Sequence, residues 1–527
     1  MLRKKLPIGI QTFREIREDG YYYVDKTGIA LQLINEDKYY LLSRPRRFGK
    51  SLFLDTLAEL FSGNEALFTG LTVHPHWNWQ RRFPVIRISF GGGVLQSLAA
   101  LETRIDNLLT VNAQRLGVNT LHATDISGRF AELIRHTEHI HGQRVVILVD
   151  EYDKPILDNL TRPAIARDIR DGLRNFYSII KDSDAHVRFA MLTGVSKFSK
   201  VSLFSGLNNL RDITLSANYS AICGYTDDDL EKTFAPELAD INRDDIRQWY
   251  NGYNWTGLSV YNPFHVLLLF RERTFRSYWF ETGTPTLLIE LLLAQKIFSP
   301  DLSHLVAMET LLSSFDVECM PVEALLFQTG YLTIDSHFSM GTRTEYTLKY
   351  PNREVQASLN GALLDGLTGN HSSSGRQTGQ LYRLLTANNF DGLQQLFCAF
   401  FASIPHDWYR NSPIAQFEGY WASVFYSHFA ALGLDIRLED TTNHGRIDMA
   451  VLFNKHVYIF EFKVVELTST GKALQQIQMQ GYAEKYQVRN EPIYLIGVAF
   501  SRKRRSIVGF DVLKLPSTHR AHISTRA

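Results

Sequence analysis

Cysteine is scarce in this chain of 527 residues: Cys223, Cys319 and Cys398 are scattered, odd in number and never in C-x-x-C spacing. That argues against a disulfide framework or a cysteine-held zinc centre and fits a reducing cytoplasm. Long apolar runs are also missing. Val266–Phe270 and Leu287–Leu293 are too short or interrupted for a bilayer, which needs about 20 residues. The basic start MLRKKLPIGIQTFREIRED carries no apolar signal-peptide segment, so no membrane partner is expected. Neither sign of charge dominates, with 56 Lys and Arg against 55 Asp and Glu, and a nucleic-acid contact has to rest on local basic patches. No repeat of fixed period is visible. What remains is an apolar content of 45% and a charged content of 21%, an ordinary soluble globular composition with length for several full cores.

Two stretches of this sequence carry chemistry. In the first, the apolar strand Tyr39–Leu42 runs into RPRRFGKS (Arg44–Ser51) and then into the helical pattern SLFLDTLAELF. Strand, Gly-Lys-Ser loop and helix form the context of a phosphate-binding loop. Main-chain N–H groups from Arg46, Arg47, Phe48 and Gly49 would hold a phosphate at the helix N-terminus. Lys50 would reach the outer phosphates, and Ser51 would ligate Mg²⁺. Arg44 stands where the first glycine of such loops is usual, so the loop entry lacks a glycine-only conformation. Downstream, VVILVDE (Val145–Glu151) has the continuous apolar run of a strand buried on both faces, ending in two acids. Asp150 is placed to hold Mg²⁺ and Glu151 to polarise an attacking water, although a helix N-cap after a strand explains the acids too. The spacing of the two motifs implies an extra strand between them. Val85–Phe90 and Val187–Leu192 supply further strands of a parallel sheet, and Thr193 is a candidate γ-phosphate sensor or simply a turn residue.

The second stretch is GRIDMAVLFNKHVYIFEFK, Gly445–Lys463, which reads as two strands joined by a polar turn. Alternation along a strand puts Glu461 and Lys463 on one face, and the hairpin returns them beside Asp448. Two hard oxygen donors suit Mg²⁺, and the lysine suits a water beside it, which outlines a phosphodiesterase site. The same residues also fit a solvated face in which Asp448 pairs with Arg446 and Glu461 with Lys463. Upstream, Phe417–Leu432 has helical spacing with Glu418 at its edge, and downstream Lys472–Tyr486 is a helix offering Gln476. The run Arg502–Arg505 is a compact basic segment after the last core strand, either a phosphate contact or a solvated loop. Thr368–Gly379 (TGNHSSSGRQTG) reads as a linker, and a weaker break falls near Cys223–Asp229.

Asp448, Glu461 and Lys463, spaced D-x12-E-x-K, resemble the PD-(D/E)XK nuclease superfamily, in which a helical glutamate, here Glu418, often completes the metal site. The segments YYYVDKTGIALQLI, LLSRPRRFGKSLFLDTL, VVILVDEYDKPI, LTGVSKFSKVSLFSGLNNLRDITL, CGYTDDDL, WYNGYNW, VYNPFHVL and YWFETGTP resemble the bacterial AAA-ATPase-like family related to the STAND signalling NTPases. RPRRFGKS is that family's usual form of the loop. The resemblance implies an α/β multidomain protein: a P-loop NTPase domain over 1–225 with a parallel sheet, a mainly helical lid or connector over 226–367, a linker over 368–380, and a nuclease-like α/β domain over 381–527. It implies ATP and Mg²⁺ as cofactors, catalytic Glu151, Asp448, Glu461 and Lys463, and metal ligands Ser51, Asp150, Asp448, Glu461 and Glu418. Nucleic acid, DNA ahead of RNA, and further copies of the chain through the NTPase domain are the expected partners. The alternative is a STAND-like switch whose C-terminal domain binds nucleic acid or a partner without cutting.

Overall fold

Four apolar runs of the N-terminal half and the short polar strand Arg211–Asp212 pair as parallel strands in the computed structural model. It describes residues 3–119, 121–197, 203–278, 304–312, 321–368, 371–403, 418–442, 445–466, 471–504 and 506–515, with a few positions between 288 and 302. Contacts divide the chain into two compact units, Met1–Tyr278 with His304–Asn352, and Trp279–Ser303 with Arg353–Ala527. The first sheet contains β1 (Tyr39–Ser43), β2 (Val85–Ser89), β3 (Val145–Asp150), β4 (Val187–Gly194) and β5 (Arg211–Asp212), in the order β2-β3-β4-β1-β5. β1 is buried throughout, and β3 is buried up to Asp150, as unalternating apolar strands covered on both faces must be. Helix Lys50–Phe61 lies against β3 and β4, while Leu98–Arg115, Ile126–His141 and Pro163–Asp182 pack against one another. Along the chain β2 is the strand between the two motifs, and within the sheet β4 lies between β1 and β3. Its pairing sets Thr193 beside both Asp150 of β3 and Leu42 of β1, so the three strands end at one level.

The middle of the chain carries helices Asp227–Thr233, Arg243–Tyr250 and Pro263–Glu272, whose apolar residues share a core with Tyr22 and Val24. This helical region also holds a three-stranded antiparallel sheet of β6 (Leu305–Met308), β7 (Thr333–Met340) and β8 (Arg343–Lys349). The sequence pattern concealed it because most of β7 is exposed and polar, without a buried alternation. Met1–Tyr278 and His304–Asn352 belong to the unit that holds the phosphate loop, and the segment read as a linker, 368–380, falls largely on helix His371–Thr386. Leu381 and Leu385 anchor that helix in the C-terminal core, and this packing outweighs the low helix propensity of its Ser and Gly residues.

The C-terminal sheet has the order β13-β12-β11-β10-β9, from β9 (Asp435–Thr442), β10 (Gly445–Phe453), β11 (His456–Val465), β12 (Ile493–Ser501) and β13 (Ser506–Lys514). Only β11 and β12 are parallel. One face packs on helices Phe390–Ser403 and Glu418–Ala431 through Phe397, Phe425, Phe429, Phe460 and Phe462. The other packs on helix Lys472–Met479 through Ile477, Ile459 and Leu495. Gly497, paired with Glu461, is where that helix comes closest: a Cβ there would meet the Leu474 nitrogen at 2.5 Å and its Cα at 3.0 Å. Gly497→Val is therefore expected to push the helix off β12 and destabilise this unit by about 1–3 kcal/mol, seen as a lower thermal midpoint.

Candidate active sites

The loop after β1 forms because two of its residues accept left-handed backbone. Gly49 (φ 95°) does so freely, and Arg47 (φ 66°) does so against its Cβ. Helix Lys50–Phe61 follows at once, so its N-terminal N–H groups open onto the loop. The buried Lys50 ammonium donates to the Arg44 oxygen at 2.9 Å and the Pro45 oxygen at 3.0 Å, closing the loop on itself. Burial lowers its pKa, and the Asp150 carboxylate opposes that shift.

Arg44 is fully buried. Its guanidinium donates to the carbonyls of Ser43, Thr214 and Tyr219 and lies 4.0 Å over the Trp255 ring, and burial lowers its pKa to about 10. Phe48 packs edge-on to Tyr253 and Trp255, with centroids at 4.8 and 5.5 Å, and its carbonyl accepts from Gly224 N–H. The Arg47 guanidinium stacks 3.8 Å over Phe264. These three side chains are thus engaged by the segment 214–264. Arg46 is exposed, and Ser51 sits half-buried one residue after Lys50. Nothing in the pattern around Tyr253, Trp255 and Phe264 distinguishes this clamp from ordinary core.

At the end of β3, Asp150 Oδ1 accepts from the Thr193 hydroxyl at 2.7 Å and from Glu151 N–H at 3.0 Å. Glu151 itself is left-handed (φ 53°), a strained conformation of the kind that collects at functional sites. Burial, and then the Asp150 carboxylate, raise its pKa. A residue that sequence reasoning passed over lies next door. Asp153 is buried and accepts from Ser196 N–H at 2.6 Å and Val195 N–H at 3.0 Å, holding the chain just past Thr193. Ser196 O also accepts from Ser43 Oγ and the Tyr152 hydroxyl. Beyond it, the buried Gln328 carboxamide accepts from Lys197 N–H at 3.0 Å and donates to Lys197 O at 3.4 Å, fastening the same segment to helix Val322–Thr329.

Several polar side chains elsewhere in this unit are engaged within the protein. Asp25 accepts from Thr27 and Thr72, Lys26 pairs with Asp229 at 2.6 Å, Asn208 accepts from Lys181, and Asp212 makes an Asx turn with Thr214 and pairs with Lys197 at 2.9 Å.

In the C-terminal unit the hairpin brings the three expected residues together. Glu461 is buried, Lys463 Nζ stands 3.4 Å from its Oε1, and Asp448 Oδ2 accepts from Phe462 N–H at 2.8 Å. The Asp448 carboxylate thus meets the β11 backbone between the other two. Two carboxylates supply hard oxygen donors of the kind Mg²⁺ takes. Among the described residues, no group of three or more His, Cys, Asp or Glu is gathered to hold a metal. Glu418 opens its helix as expected, but its side chain lies outside the described residues, as do Cys319 and Arg505. Gln476 is half-buried one turn after the buried Ala473. Among the described residues, no helix is long and apolar enough to cross a membrane.

These features define a P-loop type of nucleotide site and a nuclease-like carboxylate–lysine site in one chain. Residues 7–204 match the AAA-ATPase-like family, described as a predicted AAA-ATPase, and residues 416–510 match the PD-(D/E)XK nuclease superfamily. A relative from Azotobacter chroococcum mcd 1, named "Uncharacterized protein in vnfD 5'region", is 66% identical over 516 residues, spanning 98% of this chain and all of the relative. No solved structure matches. The chain belongs to the AAA-ATPase-like family, with a C-terminal PD-(D/E)XK nuclease superfamily domain.

The geometry around Asp153 has a spectroscopic consequence. Burial raises its pKa to about 6, against the two main-chain N–H groups that favour the carboxylate. A folded pKa above the unfolded one means this group's contribution is fully present below the ordinary aspartate pKa of about 3.9 and lost as pH rises through about 6. Carboxyl-region infrared titration is expected to show a band ionising near pH 6 that is absent from Asp153→Asn.

Proposed function

We propose that the chain is an ATP-regulated, Mg²⁺-dependent nuclease that cleaves phosphodiester bonds, with DNA the favoured substrate. The observation that carries this reading is the meeting of buried Glu461, Asp448 and Lys463 on one hairpin. Burying a carboxylate is costly unless it binds something, and an ammonium at 3.4 Å on a residue still 34% exposed leaves room for a substrate phosphate. When bound, Mg²⁺ supplies Lewis-acid polarisation of a phosphoryl oxygen and a more acidic water. Asp448 and Glu461 would hold it, with Glu418 as a third carboxylate, while the Lys463 ammonium would donate to and orient the attacking water. In the other unit the loop N–H groups and Lys50 hold the phosphates of ATP, and Ser51 and Asp150 hold its Mg²⁺. Thr193 fixes Asp150 and senses the γ-phosphate, and Glu151 accepts the proton of the attacking water. The segment from Thr193 to Gln328 passes nucleotide state into the helical region.

The test is incubation of purified protein with plasmid, single-stranded DNA and RNA, with Mg²⁺, with and without ATP. Wild type is expected to cut, and Lys463→Ala to slow cutting by about 10²–10⁴-fold. Asp448→Ala is expected to abolish it. Retained ATP hydrolysis without cleavage of any substrate assigns the chain instead to a STAND-like switch whose C-terminal domain binds without cutting. The ATPase reading has its own pH signature. Because Glu151 has a raised pKa, its base form is lost on acidification at a higher pH than an ordinary glutamate near about 4.3. The acid limb of the kcat profile is expected to lie correspondingly high in wild type and to vanish in Glu151→Gln.

A further inference from the structure

The basic run after β12 has a fixed place in the C-terminal sheet. Arg502 N–H donates to Val465 O at 2.9 Å, and Lys503 N–H donates to Glu466 O at 3.3 Å. Ser501 Oγ donates to Glu466 O at 2.9 Å and accepts from Arg504 N–H at 3.1 Å. The turn is therefore tied to the end of β11, the strand that carries Glu461 and Lys463. Val465 pairs with Ser501, and Lys463 pairs with Ala499 on the same two strands. At about 3.3 Å per strand residue, the turn begins about 7–10 Å beyond Lys463.

Arg502, Lys503 and Arg504 are all exposed at this turn. Arg502 meets the exposed Glu466 carboxylate at 3.1 Å, which cancels one charge. Lys503 and Arg504 have no carboxylate partner among the described residues. A turn held by four hydrogen bonds that presents two uncompensated cations, beyond the end of a strand carrying two site residues, suits a polyanion running along that edge.

We propose that the turn Arg502–Arg504 is a phosphate-backbone anchor for nucleic acid. It takes phosphates next along the strand from the one at Lys463. The placement relative to the reacting phosphate rests on the nuclease reading; the anchoring itself does not. The contact is sequence-independent, because the turn offers charge to phosphates and no element to a groove.

The experiment uses the full chain carrying Asp448→Ala, to prevent cutting, and a fluorescent DNA duplex whose binding is followed by anisotropy between about 50 and 200 mM salt. Adding Lys503→Gln and Arg504→Gln is expected to lower the slope of log K against log salt by about 1.8, at about 0.9 per phosphate, and to weaken all duplex sequences alike. Adding Glu466→Gln instead, which releases Arg502, is expected to steepen the slope by about 0.9. Circular-dichroism melting confirms that the exposed substitutions leave the fold intact. Unchanged slopes in both variants overturn the anchor, and so does a parent chain that binds no duplex. Cleavage by the chain with Asp448 intact is scored separately. A lowered slope without cleavage keeps the anchor and removes the nuclease reading, and cleavage with unchanged slopes does the reverse.

Discussion

A charge taken out of water costs several kcal/mol unless fixed groups replace the water, and both candidate sites are arranged around that constraint. Lys50 is buried, and two loop carbonyls at 2.9 and 3.0 Å stand in for its water. Arg44 is buried deeper and takes three carbonyls and an indole face. Asp153 takes two main-chain N–H groups. The first closes the phosphate loop on itself, and the other two tie distant segments to that loop or to the strand ends beside it. Geometry at the nucleotide site thereby depends on Thr214, Tyr219 and Ser196, residues that need not touch the nucleotide at all.

Arg44 shows how this works in place of a glycine. A glycine at the loop entry would leave the backbone free, whereas Arg44 fixes it through its side chain, which reaches the segment after β5 and stacks on Trp255. Phe48 and Arg47 add contacts to Tyr253, Trp255 and Phe264. The loop is therefore shaped as much by residues two hundred positions downstream as by its own sequence. At the strand ends, Asp153 and Gln328 hold successive residues just past Thr193. Thr193 therefore has a short hydrogen-bonded route to helix Val322–Thr329, through Val195, Ser196 and Lys197.

The sheets were legible because apolar runs ending in acids or glycine are strong local signals. YYLLS, VVILVD and VRFAMLTG each became the strand their pattern implied, and β2 is the strand that falls between the two motifs along the chain. The hairpin of Asp448, Glu461 and Lys463 was legible for the same reason. What stayed hidden depends on contacts made across long sequence separations. The Ser- and Gly-rich stretch 368–380 resembles a linker locally, yet Leu381 and Leu385 dock it as a helix. The strand β7 offered no alternation to detect. Asp153 lay within VDEYDKP, three residues from Asp150, but only the fold shows its carboxylate facing Val195 and Ser196.

The Asp448 position carries one more physical lesson. The ladder between β10 and β11 runs from Phe453–His456 up to Met449–Phe460 and stops there. A regular ladder would continue by giving Phe462 N–H a main-chain acceptor on β10; instead it donates to the Asp448 carboxylate. The core assignments slip at the same place, since Ile447 packs with Ala450 and Leu452 while Met449 and Val451 face the other core. A strand that keeps strict alternation would put Ile447 with Met449. The side chain of Asp448 has taken over a backbone role, so β10 parts from β11 where Glu461 and Lys463 sit. An aspartate is well suited to this task, because a carboxylate has lone pairs to spare: one oxygen caps the broken ladder and the group retains acceptor capacity for a cation. Asparagine would preserve the cap and sacrifice the charge, which separates the residue's structural duty from its chemical one.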